Sequence, residues 1–426
     1  MNTSNRRVPW RPSSAITRPS NGSAPMPWAG KGQAGFTLVE LLVALVIGLF
    51  LIAAIGGVYA SSRGIFSATG EAISMDDNAR AAFEWIGDSA RQAGFGGCSG
   101  QLLNIAPGDV RGGNYANATN PNSWWLNLDQ PVQGFLPTSQ PDQTFPTVSA
   151  GAPSSSTDAN TPPPERVANS DAFALIGVDI KNEAVVQHDD DGGTVSTITT
   201  TTPHSIQAGQ ILLGTDCQTN SYFVASSVSN SQSSGTVTIA SGNNCSINLA
   251  DSCGRSGGIT VAGTTPITLQ DGGLIMPVIA NAYFIAPSVS AIAPTAATST
   301  AATSTATTPA NQSNSLWVLT TDGSTDGNPV PRELVRGVQN MKVEYGLDTN
   351  GDGSIDSYVP ASSVTNWSQV IALKVHLLMA TQPASGVRSV GSNAITFDGT
   401  TFQPPAGDNR IYREYTSVFS LRNRVS

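Results

Sequence analysis

The stretch Gly35-Phe36-Thr37-Leu38-Val39-Glu40-Leu41-Leu42-Val43-Ala44-Leu45-Val46-Ile47-Gly48 decides how this chain is to be read. From Phe36 to Tyr59 the one acidic or basic residue is Glu40, and the other positions are mostly Leu, Val, Ile, Ala and Phe. The segment exceeds the roughly 20 residues that a helix needs to cross a bilayer. No proline occurs from Phe36 to Gln101. After Ser61 polar residues return, with apolar ones at Phe66, Ile73, Phe83, Ile86, Ala90 and Ala93, spaced by threes, fours and their multiples as on one helix face. Gly94, Gly96 and Gly97 supply the stop. The pattern predicts a helix of about 58 residues, roughly 87 Å long at 1.5 Å per residue. Residues 36–59 are expected in lipid and the amphipathic residues 60–95 against a domain. Gly48, Gly56, Gly57, Gly64 and Gly70 each cost about 1 kcal/mol relative to Ala, so a bend or melted turn is expected near the middle.

What precedes the segment fixes its orientation. Residues 1–35 carry Arg6, Arg7, Arg11, Arg18 and Lys31 and no acid, in a chain whose net charge is −9. Positive charge ahead of an apolar span holds that end in the cytoplasm and sends the rest outward. Residues 1–35 lack periodicity and read as leader rather than fold. Met26 is an alternative start of translation, which would make residues 1–25 foreign to the protein. The rest of the chain is more acidic than the total and repels phosphate backbones, which argues against nucleic acid as a partner.

Residues 96–426 are expected to form an extracytoplasmic, β-rich globular domain. Only 12% of residues are charged, and 42 Gly and 27 Pro favour loops and strands over helical bundles. Short apolar runs at 172–178, 210–213, 221–225, 236–239, 282–286, 316–320, 338–345, 370–378 and 415–421 are predicted strands of an α+β domain. In the run from Val370, Ile371, Leu373, Val375 and Leu377 face one way and Ala372, Lys374 and His376 the other, which predicts a sheet covered on one side with His376 in solvent. Residues 137–164 and 287–314 carry no core signal and read as linkers. The second, with tandem Ala-Thr-Ser runs, also suits O-glycosylation. The four cysteines Cys98, Cys217, Cys245 and Cys253 allow three connectivities in an oxidising compartment. The pairing expected is Cys245 with Cys253 and Cys98 with Cys217; buried free thiols are the alternative. Three dispersed His and no CxxC pair argue against zinc, and no nucleophile elbow, Walker loop or HExxH motif supports an enzyme.

GFTLVELLVALVIG, residues 35–48, resembles the signal of type IV pilins and of type II secretion pseudopilins. The resemblance implies cleavage after Gly35 by a membrane prepilin peptidase and N-methylation of Phe36. Gly35 presents no side chain to a peptidase at the membrane face, and Lys31 marks the cytoplasmic side. Asp77-Asn78-Ala79-Arg80, the run from Ile86 to Cys98, Asp216-Cys217 and the run from Val418 to Arg424 are similar to the PilW family of minor pilins. That resemblance implies a pilin-like fold: a long N-terminal α-helix packed on an antiparallel β-rich domain. It also implies a non-enzymatic role in priming pilus assembly at the inner membrane with other minor and major pilins and the assembly machinery, then a place at the pilus tip. A type II secretion minor pseudopilin is the near alternative. A membrane-tethered adhesin or ligand-binding module is the alternative of another class.

Two sites follow. A carboxylate at the centre of an apolar span costs about 2.5–3.5 kcal/mol on insertion scales, so Glu40 asks for compensation. In pilins the equivalent glutamate is held to pair with the N-terminal amine of a neighbouring subunit and so to set register. The alternative is that Glu40 serves the positive end of its own helix dipole. Asp348-Thr349-Asn350-Gly351-Asp352-Gly353-Ser354-Ile355-Asp356 matches the front of an EF-hand loop, with oxygens from Asp348, Asn350, Asp352 and Asp356 and Gly at position 6, so calcium is a candidate ligand. Position 12 is Val359, so the bidentate acid is missing, and an Asn-Gly and Asp-Gly hairpin turn explains the loop equally well. Asp189-Asp190-Asp191 before Gly192-Gly193 reads as an acidic turn.

Overall fold

In a computed structural model the described residues are 37–97, 102–104, 124–125, 127–128, 130–138, 165–191, 195–201, 204–218, 220–231, 234–240, 244, 268–288, 313–323, 329–381, 394–405, 408 and 410–424. Contacts divide the chain into two units with the boundary between Ile65 and Phe66. One helix, α1 (Leu38–Gln92), runs through that boundary. Thr37 opens it: its hydroxyl accepts the Glu40 backbone N–H at 3.3 Å and its carbonyl accepts that of Leu41 at 3.2 Å. Thr-x-x-Glu is the spacing of a capping box. The helix is unbroken at Gly48, Gly56, Gly57, Gly64 and Gly70, so no turn is melted there.

In the first unit, Leu38–Tyr59 is a 22-residue stretch long and apolar enough to cross a membrane, and none of its most apolar window is buried among the described residues.

In the second unit, Met75, Ala79, Ala82, Ile86, Ala90 and Ala93 are buried at spacings of three and four. Ile86, Ala90 and Ala93 were expected there. Phe66 and Ile73 were also expected, but they are 78% and 56% exposed. Alanines form most of the buried stripe because small side chains let the helix backbone approach the sheet. Gly94 ends the helix at φ 75°, and its N–H bonds to the Ile176 carbonyl. A left-handed residue at this place is the usual helix stop.

Eighteen strands, numbered in chain order, follow among the described residues, with short 3-10 turns between some of them: β1 (Leu102–Asn104), β2 (Val132–Phe135), β3 (Ala172–Val178), β4 (Ala184–Asp191), β5 (Val195–Thr200), β6 (Ile211–Thr215), β7 (Asn220–Val224), β8 (Ser227–Asn230) and β9 (Gly235–Ala240). They continue with β10 (Leu274–Pro287), β11 (Asn314–Thr320), β12 (Val330–Arg336), β13 (Val338–Leu347), β14 (Ser357–Pro360), β15 (Val370–Ala380), β16 (Ile395–Phe397), β17 (Thr400–Phe402) and β18 (Tyr412–Ser420). All nine predicted runs lie on strands, and every pairing is antiparallel except β1 with β7. This is the expected α+β class, a long apolar helix followed by antiparallel sheets.

The long β10 joins two layers. Leu274–Pro277 pairs with β6 and its first two residues also with β4, whereas Val278–Pro287 pairs with β3 and β11. Along β3, β10 and β11 alternate side chains enter different cores. Phe173, Leu175, Tyr283, Ile285, Leu316 and Val318 join the helix stripe, while Ala174, Ile176, Ala282, Phe284, Trp317 and Leu319 join the indoles of Trp124 and Trp125 on the other face. A separate four-stranded sheet, β14-β13-β15-β18, adds Met341, Val343, Tyr345, Leu373, Val375 and Leu377 to the helix-side core.

The structure differs from the sequence pattern at two places. The second face of β15 is covered: Ala372 and Leu378 are buried, and His376 is 7% exposed rather than in solvent. Asp189-Asp190-Asp191 is not a turn but the end of β4, paired with β5. Asp189 is buried because its carboxylate accepts the Ser196 hydroxyl and the Leu269 backbone N–H, both at 2.8 Å. The predicted linkers lie, apart from their ends, outside the described residues.

Candidate functional site

The cleavage and methylation positions Gly35 and Phe36 lie outside the described residues. Glu40, in the first turn of α1, is exposed and carries a side chain on a surface of otherwise apolar residues. Its backbone is satisfied by Thr37. Its side chain lies in the first turn of the helix, the end where the dipole favours an acid.

The other end of α1 is held by polar contacts that bury few charges. Asn281 donates its amide to the Ser89 hydroxyl at 3.0 Å, Ser89 and the Tyr283 hydroxyl lie 2.6 Å apart, and Tyr283 donates to the Trp85 carbonyl at 3.0 Å. Burial pushes the Tyr283 hydroxyl far above its ordinary pKa, so it stays a donor. Asn78 donates to the Arg336 carbonyl at 3.3 Å. Asp76 accepts from Arg413 Nη1 at 3.1 Å and from the Tyr415 hydroxyl.

The C-terminal segment completes the clamp. Phe419 lies against Phe83, ring centroids 6.0 Å apart, and a Cβ added at Gly87 would stand 3.2 Å from its ring. Leu421 is fully buried in the helix-side core, and Asn423 donates to the carbonyls of Arg91 and Ala93. On the opposite side a Cβ at Gly177 would stand 2.6 Å from the Gln92 carbonyl oxygen, so β3 needs glycine where the helix ends against it. The stretches 86–98 and 418–424, far apart in the chain, thus meet around the last turns of α1 as far as they are described, whereas 77–80 lies farther back along the helix, where Asn78 is bonded to Arg336.

Of the cysteines, Cys217 is described and is disulfide-bonded; Cys98, Cys245 and Cys253 lie outside the described residues. Cys217 follows β6 in the left-handed region at φ 68°.

The loop 348–356 joins β13 to β14, with Gly351 and Gly353 at φ 77° and 79°. Asp348 is buried, and its two oxygens accept the backbone N–H groups of Gly351, Asp352 and Gly353 at 2.7–3.2 Å. Asp356 accepts from the hydroxyl and backbone of Thr349, which hold its carboxyl below the usual range. Asn350 donates to Asp352 and Asp356 at 3.1 and 3.4 Å. Asp348, Asn350, Asp352 and Asp356 are therefore gathered in one loop, where their oxygens serve the turn's own donors.

One cluster was missed in the sequence. On one face of β13, β15 and β18, His376 stands between Glu414, whose Oε1 is 2.7 Å from Nδ1, and Glu344, whose Oε2 is 3.4 Å from Nε2. Asp398 Oδ1 is 3.9 Å from Nε2, and Lys374 donates to Glu344 Oε2 at 2.7 Å. Lys374 chiefly holds the Glu344 carboxyl below its ordinary pKa, while burial pushes that of Asp398 up. The signal was available as period-two polar residues in three apolar strands: Lys342 and Glu344, Lys374 and His376, Glu414 and Thr416. What it lacked was the β16–β17 hairpin that brings Asp398.

Residues 301–423 match the family described as Type IV Pilus-assembly protein W, and residues 30–56 match the Prokaryotic N-terminal methylation motif. No curated protein matches the chain.

Proposed function

Because this chain belongs to the PilW family of type IV pilus-assembly proteins and carries the N-terminal methylation motif, we propose that it is a minor pilin that primes assembly and enters the pilus at its tip. In this reading prepilin peptidase removes residues 1–35, Phe36 is methylated, and Glu40 pairs with the N-terminal amine of a neighbouring pilin. Residues 36–59 hold the subunit in the inner membrane with residues 96–426 in the periplasm until it passes to the pilus.

The observation that carries the proposal is the contrast along α1. Leu38–Tyr59 is apolar and exposed among the described residues, whereas residues from Met75 to Ala93 are locked into the second unit. A helix so built offers its apolar half to lipid and then to the helices of other subunits. Gly48, Gly56 and Gly57 have nothing within 4 Å of where a Cβ would stand, so the fold of this chain does not require them. Close approach of another helix would, since small residues let helix backbones meet in a membrane.

The test is Glu40→Ala. It should insert in the membrane as before and be depleted from sheared pili; normal incorporation refutes the register role. Deleting the gene should abolish twitching motility. Loss of protein secretion in its place would point to a type II secretion pseudopilin, and retention of both with loss of surface binding would point to a tethered adhesin.

A further inference from the structure

We propose that Glu344, His376 and Asp398 form a binding site for a divalent transition-metal cation, with Glu414 behind the imidazole and zinc as the cation best suited to the ligands. Among the described residues these three offer potential ligand atoms that all lie within 4.8 Å of one another. Glu414 fixes the tautomer of the imidazole. Glu414 Oε1, an acceptor as a carboxylate, is 2.7 Å from Nδ1 and also accepts the Asp398 backbone N–H at 3.1 Å. Nδ1 therefore carries a proton, and the Thr416 hydroxyl, 3.0 Å from it, leaves that assignment unchanged.

In the neutral imidazole with Nδ1–H held by Glu414, the lone pair is on Nε2, which faces two carboxylates, Glu344 at 3.4 Å and Asp398 at 3.9 Å. Lys374 meets Glu344 from one side, and a cation seated between Nε2 and the two carboxylates would meet all three at once. A protonated imidazole would draw a carboxylate to about 2.7–2.9 Å, the length of a charge-assisted hydrogen bond. Ligands around zinc at bonds of about 2.0–2.1 Å stand about 3.3–3.4 Å apart in a tetrahedron. The Nε2 separations fall nearer the second value. Glu414 holding Nδ1–H supplies the carboxylate–histidine arrangement that orients metal-bound imidazoles.

Charge and fold agree. Lys374 sits on Glu344 at 2.7 Å and Lys342 on Asp171 at 3.2 Å, so Glu344, Asp398 and Glu414 leave two negative charges for a divalent ion to meet. The His376 side chain is 9% exposed while those of Glu344 and Asp398 are 27% and 36%, so the imidazole is fixed and water has access as a further ligand. Asp398 and Gly399 have φ 49° and 69°, the two left-handed residues of an Asp-Gly hairpin turn, and that turn sets the Asp398 carboxylate over β15. The cation would pin the β16–β17 hairpin to the four-stranded sheet.

The experiment uses the full chain purified in detergent, stripped with chelator and titrated with cobalt(II) as a spectroscopic probe, then with zinc(II). The expected result is one cobalt per chain with the visible absorption of a low-coordinate site, displaced by zinc. Asp398→Asn, on a partly exposed turn, and Glu414→Gln should each weaken binding about 10–100-fold with circular dichroism unchanged. Asp352→Ala, in the other acidic loop, should leave it unchanged. Absence of cobalt binding, or binding that survives both Asp398→Asn and Glu414→Gln, overturns the proposal.

Discussion

The side-chain amide of Asn423 donates to the main-chain carbonyl of Arg91 at 3.1 Å, joining the C-terminal segment to the last turn of the N-terminal helix. The same amide reaches the Ala93 carbonyl at 3.2 Å. The last carbonyls of a helix have no partner within it, so a donor from elsewhere both satisfies them and fixes where the helix ends. Asn423→Ala should cost about 0.5–1.5 kcal/mol. Thermal melting of the detergent-purified chain would register this as a fall in Tm with the secondary structure intact.

Gly87 tests the same contact from the helix side. A Cβ there already stands 3.2 Å from Phe419 Cε1 and 3.4 Å from Arg91 Nη1, so a branched side chain must push Phe419 off the helix. Gly87→Val should destabilise by about 1–3 kcal/mol, the usual range for overpacking. Phe419→Ala in the same chain should relieve part of that loss; if the two changes simply add, Phe419 is not what the valine meets.

Much of this arrangement could be read in the sequence, and the parts that could not share a cause. Runs with strong β-branched and aromatic content announced their strands, and 172–178 is β3 to the residue. Burial of polar residues did not announce itself. His376 in an apolar strand looks solvent-facing until Asp398 and Glu414 are brought to it, and Asp189 looks like turn chemistry until Ser196 and Leu269 supply donors. The helix stripe failed for the opposite reason. Phe66 and Ile73 are strongly apolar and exposed, whereas Ala79 and Ala82 signal weakly and are buried, because hydrophobicity marks what can be covered and not what is. In the loop at 348–356 the residues were legible, but their oxygens answer to their own backbone.

That loop makes a prediction of its own. Asp348→Ala leaves three backbone N–H groups without their carboxylate and should lower Tm whether or not calcium is present. A rise in Tm at millimolar calcium that is lost in Asp352→Ala would give the loop an ion as well as a turn. No shift with calcium would leave the turn alone.

Acid should act through Asp408. Burial raises its pKa, but hydrogen bonds from Arg410, at 2.6–3.0 Å, and from the Tyr412 hydroxyl, at 2.6 Å, outweigh burial and hold it below the usual range. A depressed carboxyl contributes stability above its unfolded pKa of about 3.9 that is lost as pH falls through the lower folded value. Wild-type Tm should therefore drop in that acidic window, and Asp408→Asn should start lower and drop less. Asp408→Ala, which takes the carboxylate from the 5%-exposed Arg410 side chain and leaves it the Gln339 amide oxygen, should cost about 3 kcal/mol at neutral pH.

The cysteines give a direct mapping experiment. Cys217 is bonded, and the pairing proposed is with Cys98, leaving Cys245 with Cys253. Non-reducing peptide mapping should recover a Cys98–Cys217 peptide pair; a Cys217 peptide linked to Cys245 or Cys253 would rule that pairing out.

The central claim is that the chain is processed at Gly35 and carried into the pilus, and N-terminal mass spectrometry of sheared, purified pili tests it most directly. The account predicts a peptide of this chain that begins with N-methylated Phe36. Pili that lack the chain, or a chain recovered from them with residues 1–35 still attached, would contradict it.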